Sequence, residues 1–171
     1  MYYIIKNIAD FLFALILLIL LLPVAVFISM ILKIFTRGDI FYIHPRIGRY
    51  GNFFRLYKFR TMSINRKMIL DDYFKKYPYF KNEWESTHKL KHDPRVTKIG
   101  YFLRDFSLDE LPQIINILKG DMSFIGPRPI VKKEIEKYGD NFNKYKSIKP
   151  GLTGLWQVSG RNDTTYTQRV D

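Results

Sequence analysis

Phe11 to Leu32 form an uninterrupted apolar run with no charge and one hydroxyl, Ser29. Such a run must be covered by something other than water, and its length matches the roughly 20 residues of a spanning helix. A secretory signal has a shorter apolar core followed by a small-residue cleavage site. Neither is present, so the segment is expected to be retained. Two topologies are compatible with it. One is a straight helix that anchors the chain in a single pass. The other uses Pro23, because proline inside a helix removes a backbone donor and clashes with the preceding turn. A helix from Asp10 to Leu22 would be about 20 Å long at about 1.5 Å per residue. That falls short of a roughly 30 Å hydrocarbon core, so two short helices broken at Pro23 would enter one leaflet and return. Lys6 precedes the segment, and Lys33 and Arg37 follow it. Basic flanks on both sides favour two cytoplasmic ends.

The remaining chain is strongly basic. Of 171 residues, 28 are Lys or Arg and 16 are Asp or Glu, a formal net charge of +12. That surplus calls for anionic partners: nucleic acid, acidic headgroups or phosphorylated substrates. With no cysteine, disulfides and thiolate metal sites are excluded. The stretch from Arg37 to Lys67 carries eight basic residues and one acid, Asp39, and basic charge beside a membrane segment is drawn to anionic lipid. Within it, IFYIHPRIGRYGNFFRLYKFRTM predicts two short strands around a turn at Tyr50-Gly51-Asn52. Lys58 and Arg60, two residues apart, are expected on one face of the second strand. Met68 to Trp84 reads as an aromatic-rich helix interrupted at Pro78, suited either to a membrane interface or to ordinary packing.

Asp109 to Lys119 reads as an amphipathic helix, with Leu111, Ile114, Ile115 and Leu118 at helical spacing and Gly120 as its stop. Ser107 and Glu110 have capping-box spacing. A start at Leu108 or Asp109 instead keeps Pro112 where its missing N–H is harmless. Asp109 and Glu110 would then lie in the first turn, where negative charge is favoured. Gly126-Pro127-Arg128-Pro129 predicts a rigid turn, Ile130 to Tyr138 a solvated helix, and Pro150 to Asn162 short strands and close turns.

The motifs KFRTM, FLRDFSLDELPQ, KGDMSFIGPRP and KPGLTGLWQVSGRN resemble, in order and in kind, those of the bacterial sugar transferases, the monotopic phosphoglycosyl transferases. HDPRVTKIGYFLR and GLWQVSGRNDTTY are similar to the undecaprenyl-phosphate galactose phosphotransferase group. The resemblance runs from about Ile8 to Val170. It implies transfer of a hexose-1-phosphate from a UDP-sugar to a polyprenyl phosphate, an early membrane step of surface glycan synthesis. Asp109 would be the nucleophile that holds the sugar phosphate after UMP leaves, and Glu110 would help hold Mg²⁺. Lys58, Arg60, Arg104, Arg128, Gln157 and Arg161, with Pro127 and Pro129 flanking Arg128, would bind substrate phosphates or nucleotide. The family's membrane segment also breaks near its middle, which favours the re-entrant reading of Pro23.

The expected fold is therefore α+β and mostly helical. Residues 1–36 form a re-entrant membrane helix-break-helix. Residues 37–171 form a small cytosolic catalytic domain with a β-hairpin, on the inner face of the bacterial inner membrane. Family members usually continue past Arg169-Val170-Asp171 with an aromatic-rich segment, so a C-terminal portion is expected to be missing. The expected partners are a UDP-sugar, a polyprenyl phosphate and the membrane, without nucleic acid. The competing reading is a membrane-tethered basic module that binds acidic lipid or nucleic acid and catalyses nothing. It accounts for the charge but not for an acidic pair flanked by Arg104 and Arg128.

Overall fold

The computed structural model describes residues 2–36, 38–87, 90 and 92–154. In chain order these form α1 (Tyr2–Phe35), β1 (Phe41–Ile47), β2 (Phe53–Phe59), α2 (Arg66–Lys76), α3 (Tyr79–Thr87), α4 (Lys98–Asp105), α5 (Gln113–Leu118), β3 (Ser123–Ile125), α6 (Ile135–Tyr138), α7 (Phe142–Tyr145) and β4 (Gly151–Thr153). Four short 3-10 turns link them, one of which is Leu108–Glu110. β1 and β2 pair as a hairpin, and β3 and β4 pair in parallel, with Ser123 opposite Gly151 and Ile125 opposite Thr153. The fold is thus α+β and mostly helical, with a small hairpin as expected.

α1 departs from the expectation of two helices broken at Pro23. It is one helix of 34 residues with Pro23 inside it. Proline removes a single bond, the one its missing N–H would have donated to the Ile19 carbonyl. The neighbouring bonds carry the helix through. At about 1.5 Å per residue α1 is about 50 Å long. Most of its large apolar side chains face outward: Ile19 and Leu20 are each 65% exposed and Ile34 is 71% exposed. By length and composition it can cross a membrane.

The chain divides into two compact units, and the division falls within α1. The first contains residues 1–25, 42–58 and 110–171. Its core gathers Ala14, Phe54, Leu56, Ile114, Ile117 and Met122, with Leu17, Leu18 and Leu21 packed against it. The stripe at 14, 17, 18 and 21 has helical spacing, so one face of α1 is buried in this unit. Polar contacts extend toward the start of the helix. Lys6 Nζ donates to Asp10 Oδ2 and Ser123 Oγ. Lys149 Nζ donates to Asn7 Oδ1 at 3.0 Å, and the Arg49 guanidinium lies 5.0 Å from the Tyr3 ring centroid. A second cluster joins Ile47, Ile130 and Tyr145. Tyr145 Oη donates to the Ile47 carbonyl at 2.6 Å and accepts from Ile130 N. Burial pushes the Tyr145 phenol well above its ordinary pKa.

The second unit contains residues 26–41 and 59–109. Pro78 separates α2 from α3 as expected, since the residue before a proline avoids helical geometry. Their aromatic rings pack on one another, with Tyr73 5.1 Å from Tyr77 and 5.6 Å from Phe80. Thr97 caps α4 by accepting from Gly100 N at 2.9 Å. Asp93 forms a close ion pair with Arg95, whose guanidinium also lies 4.5 Å from the Trp84 ring centroid. Burial opposes the Asp93 charge, but the hydrogen bonds from Arg95 outweigh it and hold the carboxyl below its ordinary pKa.

Candidate active site

Pro112 shapes the acidic segment. It has no N–H to return to Leu108, so the chain tightens into the 3-10 turn Leu108–Glu110 and α5 begins only at Gln113. Asp109 and Glu110 therefore precede the helix rather than occupying its first turn, which corrects the helix expected from Asp109 to Lys119. Ser107, expected at most as a cap, turns the chain with a φ of 56°. A non-glycine residue there is uncommon and strained.

Glu110 opens onto a cavity of about 100 Å³ in the first unit, lined by Arg46, Leu56, Lys58, Gln113, Arg128, Pro129, Gly151 and Leu152 as well. Three separate devices position its polar groups. The first is Asn116, which is fully buried. Its Oδ1 accepts from Tyr57 N at 3.1 Å and its Nδ2 donates to the Arg55 carbonyl at 2.7 Å. This ties β2 to α5 and sets Lys58 against Glu110, with Nζ donating to Oε1 at 2.5 Å. The second is the β3–β4 pair. Gly126 N donates to the Thr153 carbonyl at 3.0 Å and Gly151 N to the Pro127 carbonyl at 2.8 Å. A Cβ on Gly151 would lie 2.1 Å from Gly126 N, so only glycine permits the approach that presents Arg128 and Pro129. The third is β1, which delivers Arg46. Its Nη1 donates to the Pro129 carbonyl at 3.2 Å and lies 3.9 Å from Glu134 Oε2. Burial, and next the charge of Arg128, push the Arg46 guanidinium below its ordinary pKa.

The cavity thus combines three cations with one carboxylate, an excess suited to a phosphate. Its volume is below the about 300–1,000 Å³ usual for small-molecule sites, so it suits one group of a ligand rather than a whole nucleotide sugar. The structure brings together Lys58, Glu110, Arg128 and Pro129 among the expected residues. It adds Arg46, which lies in none of the four motifs, and Gln113, which closes the motif FLRDFSLDELPQ but is not among the expected site residues. Arg46 becomes a site residue only through contact with Pro129, 83 residues away.

The second unit holds Asp109, Arg104 and Arg60. Asp109 is buried and directly precedes Glu110 in the chain. Arg104 Nε donates to Thr61 Oγ1 at 3.0 Å. Arg60 Nη2 donates to Asp39 Oδ2 at 3.1 Å. Lys58 pairs with Glu110 and Arg60 with Asp39. Gln157 and Arg161 lie outside the described residues.

Among the described residues, no three His, Cys, Asp or Glu side chains cluster to form a metal cage. Mg²⁺ does not require one, since it commonly takes one or two carboxylates and completes its shell with water and substrate phosphates. Glu110, only part-buried beside Lys58, fits that pattern.

The model of the bacterial sugar transferase family matches residues 1–171. Among curated relatives, a sugar transferase of Haemophilus influenzae is 56% identical over 133 residues, covering 78% of this chain and 28% of that protein. The exopolysaccharide production protein ExoY of Sinorhizobium fredii is 48% identical over 165 residues, covering 96% of this chain and 73% of that protein. The undecaprenyl-phosphate galactose phosphotransferase of Salmonella typhimurium is 53% identical over 133 residues, again covering 78% of this chain and 28% of that protein. The match along the whole chain, the high identity to these transferases and a cation-lined cavity that holds Glu110 agree: this chain belongs to the bacterial sugar transferase family.

Proposed function

We propose that this chain moves a hexose-1-phosphate from a UDP-sugar to a polyprenyl phosphate at the inner face of the bacterial inner membrane. The observation that carries the reading is the Arg46–Lys58–Arg128 cavity, whose one carboxylate, Glu110, directly follows the buried Asp109. A cationic cavity alone would suit any anion. With Glu110 in its wall and Asp109 next to Glu110 in the chain, it suits phosphoryl transfer to a carboxylate.

In the first step an Asp109 oxygen attacks the sugar-bearing phosphorus. The new O–P bond forms as the bond to the UMP oxygen breaks, and UMP leaves with that electron pair. In the second step a polyprenyl phosphate oxygen attacks the same phosphorus. The bond to Asp109 breaks, the carboxylate is restored, and a diphosphate links lipid to sugar. The acyl phosphate on Asp109 is itself reactive, so one difficult transfer becomes two easier ones. Lys58 and Arg128 offset phosphate charge as an anionic nucleophile approaches, acting in a partly water-excluded cavity where such contacts are strengthened. Glu110 would hold Mg²⁺, which would supply further positive charge at the phosphate oxygens.

Membrane placement fits this chemistry, since a polyprenyl phosphate presents its phosphate in the headgroup layer and a UDP-sugar is cytosolic. The start of α1 contacts Ser123, Lys149 and Arg49 of its own unit. This supports an N-terminus on the same side of the membrane as that unit. The test is UMP release from a panel of UDP-hexoses, with and without polyprenyl phosphate. One UDP-hexose should give a single-turnover burst of UMP without lipid and continuous release with it. No release from any of them, with binding to acidic vesicles intact, would favour the non-catalytic basic module.

A further inference from the structure

Arg46 combines two features that a purely structural arginine avoids. Its Nε is buried and has no hydrogen-bond partner among the described residues. An unsatisfied buried donor is destabilising, the more so on a charged group. Its guanidinium also shares the cavity wall with Arg128, whose like charge opposes its own. The adjacent carboxylate does little to offset this. Glu134 Oε2 is 3.9 Å from Nη1 and already accepts from Val131 N at 2.8 Å. A largely buried guanidinium facing an exposed one of like charge becomes favourable when an anion of more than one charge lies against both. Their planar forks match phosphate oxygens, and about 100 Å³ of space admits a phosphoryl group.

We infer that Arg46 is a further substrate-binding residue of this site, gripping a phosphoryl group of the nucleotide together with Arg128. The inference rests on the reading of the cavity as a phosphate site. On binding, the unsatisfied donor and the repulsion between the arginines are relieved together, so Arg46 favours phosphorylated ligands over their unphosphorylated forms.

The experiment is titration calorimetry of the full chain in detergent with UDP and with uridine, at fixed Mg²⁺, for the parent, Arg46→Gln and Arg46→Lys. The parent should bind UDP more tightly than uridine. In Arg46→Gln the UDP Kd should rise about 10–100-fold with the uridine Kd unchanged, and Arg46→Lys should recover part of the loss. A structural role would weaken both ligands alike, so an unchanged UDP-to-uridine ratio in both variants, with the parent's preference intact, overturns the inference and leaves the proposed function standing. A parent that binds UDP no better than uridine overturns both.

Discussion

Asp109 and Glu110 are neighbours in sequence and carboxylates both, yet their settings differ in the way the two proposed roles require. Asp109 is buried in the 3-10 turn, after the strained Ser107. Glu110 is part-exposed and held by Lys58. A nucleophile benefits from a fixed, water-poor position, while a metal ligand needs room for a hydrated ion. Asp109→Asn keeps the shape and removes the anion, so turnover should fall by at least about 10³-fold, the scale of losing one central catalytic group. The thermal unfolding temperature should stay near that of the parent. A purified variant with transfer near the parent rate would remove Asp109 from the chemistry. Glu110→Gln should instead raise the Mg²⁺ concentration needed for half-maximal activity. Full activity of the parent in excess chelator would leave Glu110 as a partner of Lys58 alone.

At the scale of elements, the site depends on how firmly short pieces are tied together. Asn116 satisfies two backbone groups of β2 from α5. Asn116→Ala should cost about 2–4 kcal/mol through the unpaired groups and the vacated space, read as a lowered urea midpoint. A change within about 0.5 kcal/mol, the range of ordinary surface substitutions, would contradict its role as the tie. The legibility of these elements varied for physical reasons. The hairpin around Tyr50-Gly51-Asn52 and the break at Pro78 were legible because turn residues and proline act locally. The start of α5 differs from the spacing expectation because the apolar spacing from Leu111 to Leu118 continues across a proline whose missing donor postpones the helix to Gln113. β3 and β4, three residues each, are too short to carry a period, and their pairing joins segments far apart in sequence. Arg46 is illegible as a site residue for the same reason, since its contact with Pro129 spans 83 residues, whereas Gln113 lies inside the motif FLRDFSLDELPQ. Lys58, Glu110 and Arg128 were marked by resemblance, not by spacing, since isolated basic residues in a +12 chain have no local distinction.

For the whole molecule, the central structural fact is that one face of α1 belongs to a folded unit while its other apolar faces are open. A helix free to cross the bilayer alone would not carry Lys6, Asn7 and Tyr3 into contact with residues beyond position 48. The chain has no cysteine, so a single one placed at the N-terminus reports its side cleanly. In intact cells it should resist an impermeant thiol reagent and label only after the membrane is opened. Labelling from outside would place the N-terminus across the bilayer and contradict these contacts.

The most direct test of the central claim is intact-mass measurement of the full chain after mixing with the UDP-hexose that releases UMP, before any polyprenyl phosphate is added. The expected result is one added hexose phosphate, mapping to the peptide that contains Asp109, absent from Asp109→Asn and discharged when polyprenyl phosphate is supplied. Steady transfer to lipid with no adduct on the chain, and intersecting rather than parallel double-reciprocal kinetics, would instead show direct transfer between the two substrates and contradict the two-step mechanism.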